Sequence, residues 1–254
     1  CYHGLARPLN GAAPIGLIVE YPFIWKEGVF QYPSSFVQGM LMRRLAETGT
    51  DYAVLRDTDF NRDIELRPDR LPVLIVFSGQ WTDTLFSSAA RIERALAAYL
   101  KEGGRILWLG GRPPREVWGG VETTLEAMAD KSPSAKPSAM PFGGERFGTA
   151  RLRPSRSSPW SGALQELVVR KPFVRGNSDF PPCHFRFADP GRVTPLLDLS
   201  LGADPEGPRH VVAAEFAVAR GKVVYLPFYL LFPMVFTDEK TLPNLIEPAL
   251  DGTG

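Results

Sequence analysis

Two carboxylates with aromatic neighbours are the first residues in this chain that could do chemistry. Glu20 and Glu27 stand seven positions apart, with Tyr21 and Trp25 between them. Paired carboxyl groups can serve as general acid and general base when their separation suits the reaction. Aromatic faces beside carboxylates also suit a sugar, whose C–H face packs on a ring while its hydroxyls form hydrogen bonds. Closure of the core or a subunit interface explains the same aromatics, and we favour that interpretation.

Two later polar groups follow apolar runs that are typical of buried strands. Gln80, Trp81 and Asp83 come after the run 73–77, and Gly110, Gly111 and Arg112 come after the run 105–109. Ligands of open α/β sheets bind outside the carboxyl ends of the strands. The two glycines could present backbone N–H groups to an anion, although a tight turn explains them as well. The predicted ligand-binding residues are Tyr21, Trp25, Gln80, Trp81, Asp83, Gly110, Gly111 and Arg112.

Nucleophile and metal chemistry have few candidates. Ser78 stands in F-S-G-Q, which lacks the first glycine of a G-x-S-x-G elbow, so a turn role is preferred. Cys183 and His184 are adjacent on an extended segment, where neighbouring side chains point to opposite faces. Two cysteines and three histidines in 254 residues are few metal ligands. We expect no metal and no cofactor, and the catalytic candidates are Glu20, Glu27 and Ser78.

The elements that must position these residues are buried strands and amphipathic helices. Consecutive apolar residues predict strands buried on both faces of a parallel sheet. Apolar residues at helical spacing predict one helix near 36–45 and a second that begins at Ser87 or Ser88 and ends at Gly103-Gly104. The apolar stripe of the second helix consists of Ile92, Leu96, Tyr99 and Leu100. The predicted strands of this part are 15–20, 52–55, 73–77 and 105–109. The pattern predicts a flavodoxin-like, doubly wound α/β fold with a mainly parallel sheet, helices on both faces and an appended β-rich segment.

Three segments are predicted along the chain. Residues 1–130 form the α/β core, and residues 131–146, rich in Pro, Ser, Lys and Gly, form a linker or long insertion. Residues 147–254 form a β-rich second half that completes the same domain. In it, short apolar segments bounded by turn residues predict strands at 147–152, 183–187 and 195–199. Residues 211–218 and 222–226 predict a hairpin, and a short C-terminal helix is limited by Pro243 and Pro248.

The stretch VLIVFSGQWTDTLFSSAARIERALAAYLKEGGRILWLGG, residues 73–111, resembles the class I glutamine amidotransferase superfamily. From residue 15 onward the order of elements is similar to the amidotransferase-like domain through which some β-galactosidases trimerise. The stretch VAAEFAVARGKVVYLPFYLLFP resembles a closing hairpin of these domains. The superfamily places its nucleophile in G-x-C-x-G, whereas residues 107–112 read L-W-L-G-G-R, and no cysteine occurs between Tyr2 and Pro182. The resemblance therefore favours a protein without catalytic activity, because the required thiolate is missing.

Composition excludes some partners. Lys and Arg total 29 against 28 Asp and Glu, without a basic block, so nucleic acid is not expected. The longest apolar run, 223–236, is shorter than the ~20 residues of a membrane span and contains two prolines, so no membrane span is expected. Cys1 at the start suits a mature lipoprotein, which would place the chain in the envelope or outside the cytoplasm; otherwise a cytoplasmic protein is expected.

Three functions remain open. The first is a noncatalytic amidotransferase-like module for oligomerisation, scaffolding or ligand binding, with carbohydrate or another small molecule as ligand and a second copy or a neighbouring domain as partner. The alternative is a hydrolase on carbohydrates or amides that uses carboxylates instead of a cysteine. The second alternative is an envelope lipoprotein with a binding role.

Overall fold

The computed structural model describes residues 6–7, 13–19, 39, 41–43, 45–47, 49–56, 59–60, 64–78, 89–110, 123–127, 149–156, 158, 166–170, 183–187, 193–201 and 209–227. Within them lie helix α1 (Ala89–Lys101), further helical residues at 39, 41–43 and 45–47, and twelve strands. The strands are β1 (Ala6–Arg7), β2 (Ile15–Val19), β3 (Tyr52–Arg56), β4 (Val73–Ser78), β5 (Arg105–Gly110), β6 (Thr123–Ala127), β7 (Thr149–Pro154), β8 (Leu167–Arg170), β9 (Cys183–Phe187), β10 (Val193–Leu201), β11 (His210–Val218) and β12 (Gly221–Pro227).

Ten of these strands form one mixed sheet in the order β1-β3-β2-β4-β5-β12-β11-β10-β7-β8. Every pair from β1 to β12 along this order is parallel, and we call these six strands the parallel half. Every pair from β12 to β8 is antiparallel, and we call β11, β10, β7 and β8 the antiparallel half. Strands β6 and β9 form a separate antiparallel pair. The chain is therefore an α/β protein built on a mixed sheet.

The parallel half has the strand order of flavodoxin-like folds. Taken along the chain as strands one to five, β2, β3, β4, β5 and β12 lie in the order 2-1-3-4-5, which is the flavodoxin-like arrangement. The four strands predicted from apolar runs are all present, and their observed bounds differ from the predicted ones by one residue at the carboxyl end.

Both faces of the parallel half are covered. Leu74, Ile75 and Val76 are consecutive residues of β4, and each is fully buried. Because successive side chains of a strand point to opposite faces, protein must cover both. Helix α1 covers one face with its stripe of Ile92, Leu96, Tyr99 and Leu100, which belong to one buried cluster with Leu74 and Val76. A helical layer on the other face stays a prediction.

The hairpin between β11 and β12 confirms the predicted turn after residue 218. Val218 pairs with Gly221 across a two-residue connection, and Ala219 adopts a left-handed φ of 54°. A Cβ at Gly221 would collide with the carbonyl oxygen of Gly104 and lie 2.9 Å from that of Leu100. The Lys222 N–H donates to the same Gly104 oxygen at 3.1 Å. This close approach joins the hairpin to the end of α1 and admits no side chain at position 221.

The second half of the chain is β-rich in its described residues, and the strands predicted there are present, 183–187 with the predicted bounds and the others with shifted ends. Residues 147–152 and 195–199 were expected as strands, and the structure has β7 and β10 at Thr149–Pro154 and Val193–Leu201. Strands β1, β6 and β8 were not predicted, since none of them contains a run of four apolar residues. The expected linker at 131–146 and the expected C-terminal helix lie outside the described residues.

Candidate functional site

The carboxyl ends of the parallel strands meet at one edge of the sheet, which we call the carboxyl edge. Ser78, the last residue of β4, pairs with Gly110, the last residue of β5. Gly110 pairs in turn with Pro227, the last residue of β12. Neighbouring strands lie about 4.8 Å apart, so these three backbone positions stand side by side in a row.

The strand order reverses at this edge between β2 and β4. The chain goes from β2 outward to β3 on one side and then returns to β4 on the other side. Loops that leave two such strands diverge, and in open α/β sheets the crevice between them is the usual ligand site. Here the two strands end at Val19 and Ser78. The sequence places Glu20 directly after the first and Gln80 two residues after the second.

The structure brings together two of the predicted site residues. Ser78 and Gly110 are register partners at the carboxyl edge, as expected for residues that end adjacent parallel strands. The other predicted residues lie outside the described residues: Glu20, Tyr21, Trp25, Glu27, Gln80, Trp81, Asp83, Gly111 and Arg112. Their roles in ligand binding or catalysis stay predictions, which rest on the positions of these residues after β2, β4 and β5 in the sequence.

Cys183 and His184 lie on strand β9 of the two-stranded sheet. Cys183 pairs with Ala127 and His184 with Glu126. The two residues are consecutive on this strand, and β9 lies against β11. Among the described residues, no group of three or more His, Cys, Asp or Glu is arranged to hold a metal ion. No helix in the same part of the chain is long and apolar enough to cross a membrane.

The opposite edge of the parallel half is held by Tyr99 of α1. Its hydroxyl lies 2.7 Å from the carbonyl oxygen of Leu71 and 2.9 Å from that of Pro72, and it accepts the Arg105 N–H at 3.4 Å. The hydroxyl thus ties the segment before β4 to the start of β5. Burial raises the pKa of Tyr99, against a smaller lowering by the Arg105 backbone hydrogen bond. The sequence identified Tyr99 as part of the apolar stripe of α1 but gave no sign of its hydrogen bonds.

A second polar region lies in the antiparallel half. Arg151 and Arg153 of β7 stand opposite Ser200 and Asp198 of β10, respectively, so all four side chains share one face of the sheet. The next residue of that alternation, Ser155, hydrogen-bonds through its Oγ to Asp198 Oδ1 at 2.6 Å. We call these residues the arginine–serine face: Arg151, Arg153, Ser155, Asp198 and Ser200.

Glu166, directly before β8, closes over this face. Its carboxylate forms ion pairs with Arg151 Nη1 and, at 2.6 Å, with Arg153 Nε. The hydrogen bond from Arg151 and the neighbouring charge of Arg153 hold the pKa of Glu166 below its ordinary value. Sequence reasoning missed this region, because 151, 153, 166, 198 and 200 form no local motif. The signal that was available is the alternation of arginine and apolar residues at 151–153.

Comparisons with known proteins concern the fold. No family model matches the chain, and no curated protein matches it. Among solved structures it is similar to an exo-β-1,4-mannosidase from Opitutaceae bacterium strain TAV5, at 13% identity and a TM-score of 0.49 over 95% of this chain and 35% of that one. It is also similar to a glutamine amidotransferase from Thermotoga maritima, at 11% identity and a TM-score of 0.47 over 94% of this chain and 82% of that one.

A β-galactosidase from Rahnella sp. R3 gives 11% identity and a TM-score of 0.47 over 92% of this chain and 32% of that one. This chain therefore spans about a third of the length of the mannosidase and of the β-galactosidase. At these identities and TM-scores, no property of this chain follows from the likenesses. The strand order of the parallel half assigns its flavodoxin-like topology independently of them.

Proposed function

We propose that this chain is a noncatalytic module on an amidotransferase-like fold, which oligomerises, scaffolds or binds a ligand such as a carbohydrate at its carboxyl edge. The observation that carries this proposal is the position of Gly110. It ends β5 between Ser78 and Pro227, at the turn where the resemblance expects a nucleophile and the sequence has Gly-Gly-Arg.

The missing sulfur supports the absence of amidotransferase chemistry. Attack on an amide by a cysteine requires a thiolate held at the turn with a base in reach. The cysteines of this sequence are Cys1 and Cys183, and Cys183 is a β9 residue paired with Ala127. A glycine at the end of β5 leaves backbone N–H groups as the groups offered at that position, which suits binding more than covalent chemistry.

The residues proposed for ligand binding come from the loops that follow β2, β4 and β5. Tyr21 and Trp25 would supply flat faces for a sugar ring, and Gln80 and Asp83 would supply hydrogen bonds to its hydroxyls. Trp81 and Arg112 complete the proposed set beside Gly110 and Gly111. A second copy of the chain or a neighbouring domain is the proposed macromolecular partner, and 1–130, 131–146 and 147–254 are the proposed segments.

Two assays on the full chain test this function. Ammonia release from glutamine and hydrolysis of aryl galactosides and mannosides should both stay at the buffer rate. Titration with galacto- and manno-oligosaccharides, followed by tryptophan fluorescence, should give a saturable change, and sedimentation velocity should give a defined species. Trp81→Phe and Arg112→Gln should weaken saccharide binding at least tenfold. Lys101→Gln is the control, since Lys101 is exposed at the end of α1, before β5 begins.

Turnover would contradict the proposal. Hydrolysis that Glu20→Gln, Glu27→Gln or Ser78→Ala abolishes would replace it with the hydrolase alternative. A monomer that binds none of the saccharides and has no partner domain would also overturn it.

A further inference from the structure

The arginine–serine face holds buried polar groups that its own neighbours do not satisfy. Ser200 is 2% exposed, and its Oγ has no hydrogen-bond partner among the described residues. Arg151 Nε is also buried without a partner in this part of the chain. Buried polar atoms are ordinarily hydrogen-bonded, and an exception calls for an explanation such as a bound group. The two atoms belong to residues that are register partners on β7 and β10.

The unsatisfied atoms are of the kind that an oxyanion recognises. Arg151 Nε carries an N–H donor, and the Ser200 hydroxyl can donate its proton. Directly opposed side chains of an antiparallel pair have Cβ atoms about 5 Å apart, so one group with several oxygens can reach both. Arg151 and Arg153 lie two positions apart on the same strand and add two guanidinium charges, whose donor geometry matches phosphate and carboxylate oxygens.

Glu166 already occupies part of this arrangement. Its carboxylate oxygens contact Arg151 Nη1 and Arg153 Nε, while Arg151 Nε and Ser200 Oγ remain without an acceptor. A carboxylate has two oxygens, and both are engaged by the arginines. A tetrahedral oxyanion has more acceptors and could serve the arginines and the serine together. Glu166 side-chain exposure is 35%, against 26% and 14% for the two arginines, so the carboxylate is the outermost member of the group.

We propose that Arg151, Arg153 and Ser200 form a binding site for a phosphate-type oxyanion, and that the Glu166 carboxylate holds this site closed until the oxyanion displaces it. The site lies in the antiparallel half and shares no residue with the carboxyl edge. The test of this site is therefore independent of the test of the proposed saccharide site.

Calorimetric titration of the full chain with inorganic phosphate, at constant ionic strength set by chloride, tests the site. The wild type should bind phosphate weakly and saturably. Glu166→Gln should tighten binding at least tenfold, because a tethered competitor at an effective concentration in the millimolar range is removed together with its charge. Acetate serves as a planar comparator and should bind the same variant more weakly than phosphate.

Two further variants locate the anion. In the Glu166→Gln background, Ser200→Ala should lower phosphate affinity about fivefold. Arg151→Lys should lower it at least tenfold in the same background, because lysine keeps the positive charge but lacks the paired N–H donors of the guanidinium. Glu47→Gln is the matched control: it also removes the carboxylate of an arginine ion pair, Arg43–Glu47, on an exposed helix surface. It should not change phosphate binding. Thermal unfolding without phosphate confirms that each variant folds.

Several results would overturn the site. Equal phosphate affinity of the wild type and Glu166→Gln would remove Glu166 as the closing group. Phosphate binding that survives Ser200→Ala and Arg151→Lys unchanged would place the anion elsewhere. A wild type that stays unbound at phosphate concentrations a hundredfold above saturation of Glu166→Gln would show a permanent ion pair instead of a ligand site.

Discussion

In the parallel half, neighbouring residues of a strand are buried together, whereas on β7 and in the second part of β11, in the antiparallel half, buried and partly exposed residues alternate. Leu74, Ile75 and Val76 of β4 are all fully buried. On β7, Leu152 is buried between the partly exposed Arg151 and Arg153. The buried polar residues among those described, Ser155, Ser158 and Ser200, all belong to the antiparallel half or to the segment after β7. Parallel sheets are covered on both faces, while antiparallel ones can keep a polar face.

This difference separates two kinds of site within one sheet. The parallel half supplies an apolar frame whose polar chemistry is confined to its edges, where strands end and loops begin. The antiparallel half carries polar groups on the sheet surface itself, and strand register places them against one another. Strand β11 joins the two: Val212, Ala213 and Ala214 are buried in succession, and Glu215 to Val218 then alternate.

The largest expected effect lies where the halves join. Gly221→Ala should destabilise the protein by about 3 kcal/mol, because the new Cβ meets backbone oxygens of Gly104 and Leu100 that cannot move as a side chain would. Gly39→Ala is the matched control, since its Cβ meets nothing within 4 Å and position 39 is helical. Urea unfolding should show the control unchanged or slightly more stable. Equal stability of both variants would contradict the close packing of the hairpin against the end of α1.

The next largest effect on stability should come from adding a hydroxyl in the parallel half, compared with removing one in the antiparallel half. Val76→Thr should cost about 2 kcal/mol, because it introduces a hydroxyl among apolar neighbours in the parallel half. Ser200→Ala should be neutral or stabilising by up to ~1 kcal/mol, since the hydroxyl that it removes has no partner among the described residues. Chemical denaturation of the two variants measures both values. A similar loss of unfolding free energy in both variants would contradict the contrast between the two halves.

The smallest effect concerns the edge opposite the carboxyl edge. Tyr99→Phe should cost about 1 kcal/mol near neutral pH, because the Leu71 carbonyl loses its buried donor. Burial raises the pKa of Tyr99, so above pH 10 the unfolded chain loses this proton while the folded chain keeps it. Wild-type stability should therefore fall as pH rises past about 10. The stability of Tyr99→Phe, measured against pH, should decrease less steeply in this alkaline range than that of the wild type. The same alkaline slope in both proteins would contradict a raised pKa of Tyr99.

The local sequence pattern predicted much of the secondary structure of the parallel half. The apolar runs at 73–77 and 105–109 and the stripe of Ile92, Leu96 and Leu100 predicted β4, β5 and α1 with small errors at the ends. The short strands β1 and β8 were missed, because each is defined by pairing with a neighbour and has little periodicity of its own. Of the candidate site, the sequence indicated the loops after the strands, and the structure adds the register that joins Ser78 to Gly110.

The sequence by itself determined the apolar strands β2, β3, β4 and β5 and the amphipathic helix α1, since the spacing of apolar residues shows whether one or both faces of an element are buried. It also determined that no cysteine stands at the turn after β5. Only the tertiary structure decided that β12 lies beside β5 and that residues 151, 153, 166 and 200 meet on one face. The reason is physical: side chains far apart in sequence become neighbours through strand order and register, and both depend on packing across the whole sheet.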